Sequence, residues 1–217
     1  MARIGDVHEA LAGAVADAAA AGRAVASVGA DCCQSIAVMA GVRRAGIDPV
    51  LVWLDAHGDF NTWDTSPSGF VGGMPLAMLT GRGDQRLLER LALSPVTDTD
   101  VFLCDARDLD PGERAALEAS RVTRITHVDD LVARLPLERP LYVHLDMDVV
   151  DAAEAPAMLY PVADGPGVGA LTRVAAALRA TGRIAAVSVT TWDLESDGDG
   201  ATGRACGGIF DTLVGNT

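Results

Sequence analysis

Val, Leu and Ile gather in five short, nearly continuous apolar runs, at about 24–29 (AVASVG), 50–54 (VLVWL), 100–104 (DVFLC), 140–146 (PLYVHLD) and 184–190 (IAAVSVT). Strands covered on both faces read this way, because neither face meets water. The intervening segments suit helices over about 6–22, 33–45, 84–93, 112–120, 129–135 and 168–182. The last is rich in Ala and Leu and ends at Gly182, a residue type suited to closing a helix. Residues 196–208 (SDGDGATGRACGG) read as a Gly-rich loop before a short final segment. Strands alternating with helices predict an α/β fold, a three-layer α/β/α sandwich around a mainly parallel central sheet.

Composition narrows the partners. The 217 residues fit a single α/β domain over 1–217. Seventeen basic against thirty acidic residues leave a net charge of −13, which argues against nucleic acid and against an anionic membrane surface. Every basic residue is arginine. A chain without lysine cannot form a lysine Schiff base or build a Walker-type phosphate loop. Cys32, Cys33, Cys104 and Cys206 match neither a disulfide framework nor structural zinc spacing. The opening MARIGDVHEA lacks the apolar core of a secretory leader, and no apolar stretch has the length of a membrane span, so a cytoplasmic setting is expected.

The acids are not spread evenly. VASVGAD reaches Asp31, VLVWLDAHGD carries Asp55, His57 and Asp59, LYVHLDMD carries Asp146 and Asp148, and VSVTTWD reaches Asp193. Ligands of open parallel sheets bind beyond the C-terminal strand ends, where these acids fall. In an extended segment, a spacing of two puts Asp55, His57 and Asp59 on one side, and likewise Asp146 and Asp148. A lone Asp-x-His is an ordinary solvated loop. Two acid groups following buried strands, one with an imidazole, would repel unless a cation joined them. Oxygen donors with one imidazole suit Mn²⁺ or a similar divalent ion, and two such ions can share a nucleophilic hydroxide.

At DAHGDFNTWDTSPSG (55–69) the sequence resembles the arginase/agmatinase, or ureohydrolase, family. That family's Asp-Ala-His-x-Asp-x-Asn-Thr and Thr-Ser-Gly motifs find Asp55, His57, Asp59, Asn61, Ser68 and Gly69 in register, followed by GGMP at 72–75. Its second metal motif appears as HLDMDVVDA, with Asp146 and Asp148. The segment RDLDPGE (107–113) is similar to the stretch whose acids hold the substrate's α-amino group. The resemblance implies an arginase-like fold, shortened at both ends, and hydrolysis of a guanidino C–N bond in an arginine-like amino acid. It implies Cys32, Asp55, His57, Asp59, Asp146 and Asp148 as metal ligands. Asp110 and Glu113 would bind the α-amino group, with Asn61 and Ser68 near the α-carboxylate. Asp59 would hold the hydroxide and pass its proton to the leaving amine.

Departures from the pattern qualify this. The family's Gly-Gly-Asp-His reads GADC, so Cys32 stands in place of the histidine that binds the more buried metal. Gly72 replaces the His of His-Gly-x-Pro, a residue with a proton-shuttling role, and Thr191 replaces a glutamate that contacts the guanidinium. The implied content is therefore two Mn²⁺ per chain if Cys32 ligates, and otherwise one, held by Asp55, His57, Asp146 and Asp148. A thiolate is softer than an imidazole and better matched to zinc. Cys together with GGMP is similar to a subgroup that includes Nω-hydroxy-L-arginine hydrolase, which releases hydroxyurea and ornithine. The competing reading is a non-catalytic homologue serving as a subunit or regulator. A metallophosphatase would need more histidines than the four present. A homo-oligomer is compatible with either.

Other residues have plainer expectations. Asp31 orients a neighbouring ligand or caps a helix, and Arg107 pairs with Asp105 or Asp110. Cys33 and Cys104 are small core residues. His144 should point away from the metal side, and His8 and His127 should lie on the surface. Trp53 reads as core, while Trp63 and Trp192 fall at the rim, where Trp192 is a candidate for the pocket wall.

Overall fold

The computed structural model describes residues 2–136 and 138–215. Six parallel strands form one sheet: β1 (Val25–Val28), β2 (Val50–Asp55), β3 (Val101–Asp105), β4 (Thr123–Ile125), β5 (Leu141–Asp146) and β6 (Ile184–Thr190). Their spatial order is β1-β6-β5-β2-β3-β4. The five apolar runs are five of these strands, and β4 is a three-residue edge strand too short to stand out in the sequence.

Alternation along each strand explains the continuous runs. Leu51, Trp53, Leu103 and Tyr142 pack into one core, while Val50, Val52, Leu54, Val143 and Leu145 pack into a second core on the opposite face. Every residue of β2 and of β5 is buried. On the first face lie α1 (Ala2–Ala20) and α2 (Gln34–Arg44), with the short α3 (Pro75–Leu79), α4 (Arg86–Arg90) and α5 (Pro111–Ala119). The second face is covered by α6 (Leu131–Arg134), α7 (Val168–Ala180) and α8 (Ala201–Val214). The three layers are those that the strand–helix alternation predicts.

The expected loop at 196–208 is a helix from Ala201 onward. Its glycines are poor helix formers, but Thr202, Cys206, Ile209 and Leu213 recur at helical spacing and bury one face, the last three in the α7-side core. Asp197 secures the start by accepting from the Thr202 and Gly203 backbone N–H groups at 3.1 and 2.7 Å. Gly203 is required there, because a Cβ would lie 2.5 Å from Trp192 Cζ2. Tertiary packing overrides local preference.

The chain runs from β2 outward to β3 and β4, then returns to the other side of β2 for β5 and β6. The C-terminal ends of β2 and β5 thus flank the point where the winding reverses, the place where such sheets leave a crevice.

Candidate metal centre

Two ligand groups meet in that crevice. One carboxylate oxygen each from Asp55 and Asp148 and a ring nitrogen of His57 lie within 4.8 Å of one another. Cys32 Sγ, Asp55, His144 and Asp146 form a second such group, so Asp55 is shared. Above them opens a cavity of about 260 Å³, lined by Cys32, His57, Asp59, Asp146, Asp148 and Thr191, with Asn61, Ser68, Asp110 and Glu113 further out.

Extended spacing is not what joins the acids. β2 ends at Asp55 and β5 at Asp146, and the following residues turn. The Asp55 carboxylate accepts from His57 N–H at 2.7 Å, and Asp146 accepts from Asp148 N–H at 2.9 Å. These side chain-to-backbone bonds fold each segment back over its strand end. Asp59 adopts a left-handed φ of 49°, and its carbonyl accepts from Leu76 and Ala77 at the start of α3.

The electrostatics describe a deficit of positive charge. Burial and neighbouring carboxylates raise Asp59 and Asp148 well above the ordinary carboxylate range, and Asp146 to about 6. His57 sits 3.1 Å from Asp148 and 3.4 Å from Asp55. Burial opposes its charging, but the two acids push its pKa up to about 12. Asp59 Oδ2 and His144 Nε2 are buried without a hydrogen-bond partner. Clustered buried carboxylates that need protons to coexist, beside orphaned donor atoms, fit divalent cations.

Several expected site residues already have partners. Cys32 donates to Asp146 Oδ2 at 2.7 Å, and Thr191, at a φ of 70°, donates its hydroxyl to Asp146 Oδ1. Asp110 caps α5 in a capping box with Glu113, whose carboxylate accepts from Asp110 N–H at 3.3 Å and Phe60 N–H at 2.7 Å. Both Glu113 oxygens are therefore engaged by backbone. Asn61 Nδ2 donates to Asp110 at 2.9 Å, and Ser68 lies exposed at the mouth. Asp31 accepts from Cys33 N–H at 2.8 Å, a local capping contact. Arg107 pairs with Asp105 and donates to the Asp148 and Val149 carbonyls, pinning the loop that carries Asp148.

Three expectations are corrected. His144 points toward the ligands: it is two residues from Asp146, so the pleat puts both on one face. His8 is buried, with its ring nitrogens 2.8 Å from Ile4 O and 3.0 Å from Cys33 O. Trp192 stays outside the cavity lining and donates to Asp197. Two aromatic residues were not anticipated. Tyr160 and Phe70 line the cavity with ring centroids 5.4 Å apart.

A parallel sheet carrying a carboxylate–imidazole–thiol cluster at its reversal point defines an α/β protein built around a metal-ligating crevice. Residues 1–214 match the Arginase family, and the chain belongs to it. It is 36% identical over 173 residues to an arginase of Brevibacillus brevis, covering 74% of this chain and 58% of that one. With an arginase of Bacillus caldovelox it shares 34% over 176 residues, 75% of this chain and 58% of the relative. The chain thus spans under three-fifths of these relatives' length. The crystal structure of the Bacillus caldovelox arginase superposes with a TM-score of 0.91 at 27% identity, over 99% of this chain and 76% of that one. Among the described residues, no helix is long and apolar enough to cross a membrane.

Proposed function

We propose that the chain is a metal-dependent amidinohydrolase that cleaves the guanidino C–N bond of arginine or Nω-hydroxyarginine, giving ornithine and urea or hydroxyurea. The observation that carries this reading is the set of family motif residues His57, Asp59, Asp146 and Asp148 lining one cavity, with Asp55 within 4.8 Å of the ligand atoms of His57, Asp146 and Asp148. Asp55, His57 and Asp148 would hold one divalent ion, Mn²⁺ in this reading, with Asp146 beside them. When bound, such ions supply Lewis acidity and lower the pKa of a water toward neutrality.

The chain's own groups supply positioning and proton transfer. Asp59 lines the cavity with a buried oxygen free of partners, so its carboxylate suits taking a proton from the attacking water and delivering it to the departing amine. At the mouth, Asp110 suits the α-amino group, and Asn61 and Ser68 the carboxylate. Glu113 acts through Asp110, because its own oxygens are occupied. Thr191 offers no charge to a guanidinium, which favours the less basic hydroxyguanidine and the Cys-bearing subgroup.

The test is elemental analysis followed by urea and hydroxyurea assays on arginine, Nω-hydroxyarginine and agmatine with Mn²⁺ added. Hydroxyurea release exceeding urea release supports the finer reading. Stoichiometric metal without product from any guanidine would instead support a non-catalytic homologue.

A further inference from the structure

His144 lies at the centre of an arrangement that the family motifs do not account for. It is fully buried, and its ring stacks on Trp53 with centroids 3.8 Å apart. Its Nδ1 is 2.8 Å from Ser188 Oγ, which is 2.7 Å from the Tyr142 hydroxyl. The Tyr142 hydroxyl in turn donates to the Ser35 carbonyl at 3.4 Å.

One direction of this chain prepares His144 as a ligand. It is the direction in which the Tyr142 proton serves the Ser35 carbonyl and the Tyr142 oxygen accepts from Ser188. In that direction Ser188 accepts from His144 Nδ1–H. The tautomer with a proton on Nδ1 leaves Nε2 as a bare lone pair, and Nε2 is the ring nitrogen without a partner. A hydrogen bond that fixes one imidazole nitrogen as donor is how proteins prepare the other as a metal ligand.

A ring nitrogen of His144 falls within 4.8 Å of Cys32 Sγ and of one oxygen each from Asp55 and Asp146. The Cys32 thiol is 3% exposed and donates to Asp146, so the sulfur, the acid and the imidazole already face a common point. Cys32 takes an imidazole away from the end of β1, and His144 supplies one from β5.

We propose that Cys32, Asp55, His144 and Asp146 form a buried cation site whose S, N, O, O donor set takes a borderline-soft divalent ion such as Zn²⁺. The inference rests on reading the crevice as a metal centre. Cation entry displaces the thiol proton to solvent and leaves a thiolate ligand, while the Nδ1–Ser188–Tyr142 chain stays unchanged.

The experiment uses the full chain, stripped with chelator and refilled with Zn²⁺ or Co²⁺. With Co²⁺, a sulfur-to-metal charge-transfer band in the near ultraviolet is expected and should vanish in Cys32→Ser. With Zn²⁺, long-range ¹H–¹⁵N spectra of the wild-type histidines should show the His144 Nε2 resonance leaving its bare-lone-pair position, with Nδ1 still protonated. His144→Gln should weaken Zn²⁺ by tenfold or more while binding that depends on His57 persists. Because a core variant can misfold, the wild-type nitrogen spectrum decides the matter. An unmoved His144 Nε2 in protein that has taken up Zn²⁺ overturns this site and leaves the metal-centre reading intact. Failure to bind any divalent ion overturns both.

Discussion

The Cys32 thiol donates to Asp146 Oδ2 across 2.7 Å and thereby ties the end of β1 to the end of β5. Both groups are buried, and burial with the adjoining acids raises the Cys32 pKa well above that of a free thiol. Manganese, which favours oxygen and nitrogen, gains little from such a sulfur. Cys32→His should therefore tighten Mn²⁺ by about tenfold, the scale on which ligand-shell changes act. Titration followed by the electron paramagnetic resonance of free Mn²⁺ measures this, and unchanged affinity would show that position 32 is not a ligand.

Asp59 combines a left-handed backbone with a buried oxygen that has no partner. Asparagine tolerates that backbone and has the same shape. Asp59→Asn should therefore fold, yet lose on the order of 100-fold or more in kcat if the carboxylate moves the proton. Its metal-free form should match wild type in stability at low pH and exceed it at high pH, because a carboxyl with a raised pKa costs stability as it ionises. Denaturant melts at several pH values, run beside the assay, separate the two effects.

Glu113 offers a cleaner pH test, since its oxygens touch only backbone N–H groups. Burial raises its pKa to about 7, against the backbone donors that lower it. The folded state therefore holds this proton more tightly than the unfolded chain. Its contribution is fully present below pH 4.5 and is lost as pH rises through about 7. Glu113→Gln should flatten the fall in metal-free stability across that window by up to one proton, about 1.4 kcal/mol per pH unit. An identical slope in both proteins would rule Glu113 out as its source.

The sheet and the crevice were readable in the sequence because both follow from simple periodicities. β2 and β5 are buried on both faces and so appear as unbroken apolar runs, and their acids sit where parallel sheets bind ligands. The same spacing that relates Asp146 to Asp148 relates His144 to Asp146, so the position of His144 was available from parity alone. Asp148 reaches the site by a turn instead, which no periodicity reports. Helix α8 was hidden for another reason. Gly203 answers to Trp192, and Cys206, Ile209 and Leu213 to the α7 side of the core, contacts made only after the chain has folded.

Gly72 and Phe70 bear on whether the family's missing histidine can be restored. A Cβ on Gly72 would lie 2.2 Å from Phe70 Cε1 and 2.5 Å from Cζ, so the Phe70 ring fills the space where a side chain would start. The backbone at Gly72 is not in the left-handed region, so the obstacle is the ring itself. Phe70 is also held by its contact with Tyr160 across the cavity. Gly72→Ala should therefore destabilise by about 1–3 kcal/mol, the range for overpacking. Gly72→His should fail to raise activity, because the ring must move before an imidazole can enter. In the Phe70→Ala background, either substitution at 72 should cost much less, giving a coupling of about 0.5–3 kcal/mol in a double-mutant cycle. Denaturant midpoints of the four proteins measure it, and strict additivity would mean that Phe70 does not guard the position.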